Sequence, residues 1–135
     1  MTPYKKGDII LVPFPFSDQT FSKKRPAVVI SSDVYNSRYL DIIIMAVTSN
    51  TQNPLRIGEC LIGDYASAGL LKSSVIKSAI SSIDKSLILK KLGTLSSEDL
   101  DLLDKTLKEF FGRPNILNFA KKSCCFVNDL WRLYS

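Results

Sequence analysis

Three consecutive cations and a pair of hydroxyl groups are the residues of this sequence that could do chemistry. The cations occupy positions 23–25 immediately before Pro26, and Thr48 and Ser49 follow an apolar run. An arginine guanidinium presents paired donors that match phosphate oxygens, and a hydroxyl can both donate and accept a hydrogen bond. The set predicts a phosphate contact, whereas a loop whose charges are only solvated is the structural alternative.

Both groups lie at the ends of predicted β-strands. Residues 8–12 and 27–30 are apolar and β-branched, and they flank a polar loop. Residues 41–47, DIIIMAV, form a nearly continuous apolar run, which predicts a central strand. If these strands are antiparallel neighbours, Arg25 and Thr48 lie at the same rim of one sheet and flank one pocket.

The rest of the chain predicts further short strands and one long helix. We expect a loop or helical turn after residue 30, and strands at 59–62, within 71–83 and at 87–92, with Gly93 as a turn. A helix is predicted over 97–111, with Ser96 as its N-cap and Gly112 as a left-handed C-cap. Acidic residues in its first turn suit the helix dipole, so we interpret this helix as structural. These elements indicate an α+β or barrel-like domain.

Composition narrows the class of protein. The 135 residues predict one domain, and a net charge of +5, from 18 cations and 13 anions, is compatible with a nucleic-acid partner. The sequence has no histidine, which excludes imidazole acid–base catalysis.

Cys60, Cys124 and Cys125 lack metal-type spacing, so we expect free thiols and no metal. The N-terminal residues MTPYKKGD carry no apolar signal core and no run reaches membrane-spanning length, so we expect a cytoplasmic protein without a membrane partner.

Several blocks together resemble one family. The stretch GDIILVPFPFSDQTFSKKRPAVVIS at 7–31, followed by a strand that ends in VTS, resembles the MazF/PemK toxins of bacterial type II toxin–antitoxin systems. The segment SSIDKSLILKKLGTLS at 81–96 and the helix after it match as well, and the PFPFSD form suggests a PemK-like branch. The resemblance covers 5–112, so we expect a toxin domain at 1–112 and a C-terminal extension at 113–135.

The resemblance implies a fold, an activity and partners. The family fold is α+β, a small SH3-like β-barrel with a C-terminal helix, which MazF, PemK and CcdB proteins share. Family members work as homodimers and as endoribonucleases (mRNA interferases). They cut single-stranded RNA, typically mRNA, selectively by sequence, without metal or cofactor, and leave a 2′,3′-cyclic phosphate. A cognate antitoxin neutralises them.

The resemblance also assigns residues. Arg25 matches the catalytic arginine and Thr48 the catalytic threonine, and the loop at 14–24 matches the loop that gates RNA entry and that the antitoxin displaces. Expected RNA-binding residues are Phe14, Phe16, Lys23, Lys24 and Ser49. The chain has Ser78, Ala79 and Ser81 where family members usually carry Glu-Gln and Arg that help to read RNA, which leaves the RNA sequence that is cut open.

Two other functions are compatible with the same fold. One is a CcdB-like toxin that binds a protein target without catalysis, and the other is a non-catalytic RNA-binding barrel. The Arg25–Thr48 pair favours RNA cleavage, because a pure binder does not need both side chains at one rim. We expect residues 113–135, which include Phe126, Leu130 and Trp131, to pack on the body or on a partner subunit.

Overall fold

The computed structural model of the chain describes residues 4–13 and 24–112. Its elements in chain order are β1 (Asp8–Pro13), β2 (Lys24–Val29), α1 (Asp33–Arg38), β3 (Asp41–Thr48), β4 (Cys60–Leu61), β5 (Val75–Asp84), a 3₁₀ turn (Lys85–Leu87), β6 (Lys90–Thr94) and α2 (Ser97–Phe110). Neither of these α-helices is long and apolar enough to cross a bilayer.

The strands of the described chain form one antiparallel sheet in the order β4-β5-β3-β2-β1-β6. The apolar strand β3 has neighbours on both sides, as its composition predicts. The ladder register shifts between Ile9 and Ile10 against β6, and between Met45 and Val47 against β5. Such irregularities bend strands and increase their twist, and the sheet curls into a half-barrel. With α2 after the last strand, the predicted α+β class is confirmed.

Strand side chains supply two hydrophobic clusters. Along β1, Ile9 belongs to one cluster and Ile10 and Val12 belong to the other, as the period of two in a strand requires. Leu103 of α2 is fully buried in the first cluster, so the helix closes that side of the sheet. Removing a buried leucine of this kind costs about 2–5 kcal/mol of unfolding free energy.

The predicted caps of α2 are confirmed. Ser96 Oγ accepts a hydrogen bond from the Asp99 backbone N–H at 3.2 Å, and Gly112 has φ +65°, the left-handed conformation expected after the helix. The Phe111 N–H donates to the Leu107 carbonyl at 3.0 Å, so Phe111 is the C-cap and the helix ends one residue earlier than predicted.

The sequence-based expectation for the last strand is wrong. Residues 85–87 form the 3₁₀ turn, the strand covers Lys90–Thr94, and Gly93 lies inside it rather than in a turn. The glycine is needed because another segment crosses here: a Cβ on Gly93 would lie 2.5 Å from the Ala68 carbonyl carbon. A glycine inside a strand often marks such a close approach of backbone.

Candidate functional site

Arg25 and Thr48 lie side by side at one rim of the sheet. Strand β2 pairs with β3 through Ala27↔Ala46 and Val29↔Ile44, and continuing that register by two residues places Arg25 opposite Thr48. Both side chains line one open cleft of about 520 Å³. The sequence-based expectation that these two strand ends flank one pocket is therefore met in the structure.

Strand β2 starts earlier than its apolar pattern predicts, and this positions Arg25. The apolar run begins at residue 27, but pairing with β1 extends through Val12↔Arg25 and Pro13↔Lys24. Arg25 therefore stands on a paired strand rather than on the loop before it. Pairing restricts the backbone from which the guanidinium extends, and a site on a strand is held more rigidly than one on a loop.

The guanidinium of Arg25 is only partly exposed. Its Nε is buried and has no hydrogen-bond acceptor among the described residues. A buried donor without an acceptor costs about 1–3 kcal/mol, and more when the group is charged. An anionic ligand in the cleft would meet the exposed part of the guanidinium rather than Nε, and phosphate oxygens suit the planar fork of an arginine.

Thr48 ends β3 with its hydroxyl already oriented. Its Oγ1 accepts a hydrogen bond from the Asn50 backbone N–H at 3.2 Å. Because a hydroxyl has one donor and two acceptor positions, this contact leaves the O–H free to donate to a ligand. The chain then turns away, as the Gln52 N–H donates to the Asn50 side chain at 3.3 Å. The local turn thus leaves Thr48 at the mouth of the cleft.

The charged residues of the described chain that line the cleft all carry positive charge. Three cations line it, Lys24 and Arg25 from β2 and Lys72 from the segment before β5, and no carboxylate of the described chain does. The hydroxyls of Thr48 and Ser49 add neutral hydrogen-bonding groups. Charges of one sign along a cleft raise the local concentration of the opposite charge, so the arrangement favours an anionic ligand.

The described ionisable groups whose pKa values are shifted do not line this cleft. The clearest network lies at the other end of β3, where Asp41 accepts hydrogen bonds from Ser82 Oγ at 2.7 Å and Tyr35 Oη at 3.0 Å. These bonds, the one from Ser82 first, hold the pKa of Asp41 below its ordinary value. The hydrogen bond to Asp41 likewise raises the pKa of Tyr35. This network joins α1, β3 and β5, and we interpret it as structural.

One wall of the cleft comes from a segment that sequence reasoning missed. The cleft is lined, beside residues of β2 and β3, by Leu92 of β6 and by Gly69, Leu70, Leu71, Lys72 and Ser74. The available signal was a single cation after two leucines within the small and polar stretch YASAGLLKSS at 65–74. The sequence predicted only a strand within 71–83 for part of this segment.

Asp99 holds this wall in place. Its two carboxylate oxygens accept hydrogen bonds from the backbone N–H groups of Gly63 and Asp64, each at 2.9 Å. Asp99 is buried, so the bonds are shielded from water. Its first-turn position suggested only an interaction with the helix dipole, whereas the structure adds a link from α2 to a segment 35 residues upstream.

Of the predicted RNA-binding residues, the structure places Lys24 and Ser49 in the cleft with Arg25 and Thr48. Phe14, Phe16 and Lys23 lie outside the described residues, as do residues 113–135.

The chain matches a family model over residues 5–111, described as the PemK-like, MazF-like toxin of type II toxin–antitoxin systems. Because the match covers most of the chain, the protein belongs to this toxin family, and the family resemblance drawn from the sequence blocks is confirmed. No curated protein matches the chain at a significant level.

Solved structures with the same fold come from this class. An endoribonuclease in complex with its cognate antitoxin from a mycobacterial species superposes with a TM-score of 0.65 at 16% identity, covering 82% of this chain and 97% of that one. MazF from Deinococcus radiodurans, form I, superposes with a TM-score of 0.64 at 19% identity, covering 83% of this chain and 99% of that one. A MazE–MazF complex from the same organism, form II, superposes with a TM-score of 0.63 at 18% identity, covering 83% of this chain and 98% of that one. At these identities the likeness establishes the fold.

Proposed function

We propose that this toxin is a sequence-selective, metal-independent endoribonuclease that cuts single-stranded RNA, with Arg25 and Thr48 as its catalytic residues. The observation that carries the proposal is the placement of Arg25 and Thr48 in one cleft whose described charged residues are all cations. Family membership supports it, since similar structures include proteins named as endoribonucleases.

The chemistry uses the RNA, these side chains and water, which carries the proton from the 2′-oxygen to the leaving 5′-oxygen. The ribose 2′-oxygen attacks the adjacent phosphorus, the bond from phosphorus to the 5′-oxygen breaks, and a 2′,3′-cyclic phosphate and a 5′-hydroxyl result. The proton lost by the 2′-hydroxyl balances the one that the leaving 5′-oxygen gains. Negative charge grows on the non-bridging oxygens, where a guanidinium held on a strand stabilises it.

Thr48 acts beside the arginine. Its O–H donates to a phosphate oxygen, and its fixed hydrogen bond from Asn50 keeps the hydroxyl aimed at the cleft. A threonine hydroxyl is a weak base, so its main contribution is orientation and charge stabilisation rather than removal of the 2′ proton. Lys23 and Lys24 bind the RNA backbone nearby, and we assign RNA binding to Phe14, Phe16 and Ser49 as well.

The partners follow from the family. We propose that a cognate antitoxin neutralises the toxin in the cytoplasm, as expected for a type II pair. We also propose a homodimer, because large apolar side chains of the described chain are strongly exposed, among them Val34, Leu40 and Ile57. Light scattering at micromolar concentration tests this, and a strictly monomeric mass contradicts it. Residues 1–112 form the toxin domain in this proposal, and 113–135 an extension beyond the family match.

Incubation of the purified chain with 5′-labelled single-stranded RNA in EDTA tests the proposed activity. We expect defined fragments that end in a 2′,3′-cyclic phosphate by mass spectrometry, and no cut where the attacking nucleotide is 2′-deoxy. RNA that is retained but never cut would indicate a binding barrel. RNA that is neither bound nor cut would favour a CcdB-like toxin with a protein target.

A further inference from the structure

The segment between β4 and β5 is a closed loop with its own internal hydrogen bonds. The Ile62 N–H donates to the Ser74 carbonyl at 3.0 Å and closes its base. Inside it, the Leu70 N–H donates to the Tyr65 carbonyl at 2.9 Å. We call residues 62–74 the wall loop, because its second half lines the cleft. Internal bonding of this kind lets a loop present side chains in a fixed direction.

The wall loop is also attached firmly to the body. Asp99 accepts hydrogen bonds from the N–H groups of Gly63 and Asp64 at one end. At the other end Gly69, with φ +78°, lies so close to β6 that a Cβ would be 2.0 Å from the Leu92 carbonyl oxygen. The loop therefore meets the cleft with little freedom to move away.

Two residues of this loop have properties that packing does not explain. Leu71 lines the cleft yet is 96% exposed, so it buries almost no apolar surface within the chain. Lys72 follows it, also exposed, and forms no ion pair with another described residue. An exposed apolar side chain and an adjacent cation thus line the same cleft as Lys24 and Arg25.

We propose that Leu71 and Lys72 form a second part of the RNA site, in which Lys72 binds a phosphate next to the scissile one and Leu71 packs against the face of a neighbouring base. The proposal rests on the RNA cleavage proposed above and adds the residues that bind the nucleotides flanking the cleaved bond. Single-stranded nucleic acid alternates an anionic phosphate with an apolar base face, and an apolar side chain beside a cation complements that alternation. Cations from β2 and from the wall loop suit a polyanion that runs along the cleft.

Leu71 and Lys72 have separable effects on binding, which allows a sharp test. The probe is a single-stranded RNA oligonucleotide that contains the cleavage site with one 2′-deoxy substitution, so that it binds without being cut. Dissociation constants are measured over a series of KCl concentrations for wild type, Lys72→Ala, Leu71→Ala and Leu71→Phe. Lys105→Ala is the matched control, because Lys105 is exposed on α2 and does not line the cleft.

For Lys72→Ala we expect binding weaker by about fivefold or more and a salt slope shallower by about 0.7, the value for one lost phosphate contact to a single strand. For Leu71→Ala we expect binding weaker than wild type by roughly threefold with the salt slope unchanged. Leu71→Phe should bind as tightly as wild type or more tightly, because aromatic rings stack on bases. Lys105→Ala should match wild type, and melting temperatures should stay unchanged because both wall-loop side chains are exposed.

The outcomes separate this proposal from the proposed cleavage. Wild type that binds and cuts RNA, with Leu71 and Lys72 variants that bind like Lys105→Ala, overturns the wall-loop assignment alone. A shallower salt slope in Leu71→Ala, or an unchanged one in a weakened Lys72→Ala, overturns the assigned roles. Wild type that does not bind the oligonucleotide overturns both proposals together.

Discussion

Arg25 and Thr48 occupy facing positions when the register that pairs β2 with β3 is continued by two residues beyond Ala27 and Ala46, and both line the same cleft. The ladder that holds Ala27 opposite Ala46 thus sets where the guanidinium and the hydroxyl lie relative to each other. Neither side chain contributes to the hydrophobic clusters, so the pair can be altered without removing core packing.

Arg25→Ala should lower the cleavage rate by about 10²-fold or more, the cost of one lost transition-state donor. The melting temperature should change little, because Arg25 adds no side chain to the core. Arg38→Ala is the matched control, since Arg38 is exposed on α1 away from the cleft. A folded Arg25→Ala protein that cuts RNA at the wild-type rate would remove Arg25 from the active site.

Thr48→Ala should also cut the rate by about 10²-fold, whereas Thr48→Ser should retain most of the activity, because the hydroxyl is the functional group. Single-turnover cleavage assays measure both variants. If Thr48→Ser were as inactive as Thr48→Ala, the methyl group or the geometry of the strand end would be the cause. The Asn50 N–H bond is available to serine as well, so the turn after β3 should persist.

Asp99→Asn should loosen the wall loop, because an amide offers one acceptor oxygen where the carboxylate offers two to Gly63 and Asp64. We expect a loss of about 1–3 kcal/mol of unfolding free energy and faster hydrogen exchange at these two amides. Cleavage should show a higher KM as the wall moves. Asp101→Asn, exposed on the same helix, is the control. Unchanged exchange in Asp99→Asn would contradict the anchoring role.

Ser82→Ala should raise the pKa of Asp41 toward its ordinary value, because the Ser82 hydroxyl is the leading cause of the depressed pKa. A carboxyl with a depressed folded pKa contributes stability that is present above its unfolded pKa and is lost as pH falls through the lower folded value. The wild-type contribution therefore decreases as the pH falls below the ordinary pKa of an aspartate. Carbon-detected NMR titration of Asp41 measures the shift, and an unmoved pKa in Ser82→Ala would show that Tyr35 alone suffices.

Truncation after Gly112 should leave RNA cleavage intact, because the proposed catalytic residues lie far upstream and the family match ends at residue 111. Residues 113–135 contain no histidine and one carboxylate, Asp129, so they offer little for acid–base chemistry. The comparison is between full-length and truncated protein for melting temperature, mass and cleavage. A truncated protein that remains folded and dimeric but no longer cuts RNA would place the extension in the active site.

Much of the architecture was predictable because it depends on local patterns. The β-branched runs identified β1 and β3 to within one residue at each end, and the Ser96 and Gly112 caps delimited α2. The meeting of Arg25 and Thr48 at one pocket was also predictable from residue type and strand ends, whereas their catalytic roles came from the family resemblance and stay predictions. These signals arise from backbone propensity and hydrogen bonds between near neighbours in the chain.

What only the tertiary structure decided involves residues distant in sequence. Pairing with Ile9 placed Gly93 inside a strand, and the close approach of Ala68 requires a glycine there. The hydrogen bond from the Gly63 N–H to Asp99 made a helix-start carboxylate an anchor for the cleft wall. Lys72 became a cleft residue through the same contacts. No local pattern encodes these placements, because each depends on the packing of two segments that meet only when the sheet curls and α2 closes over it.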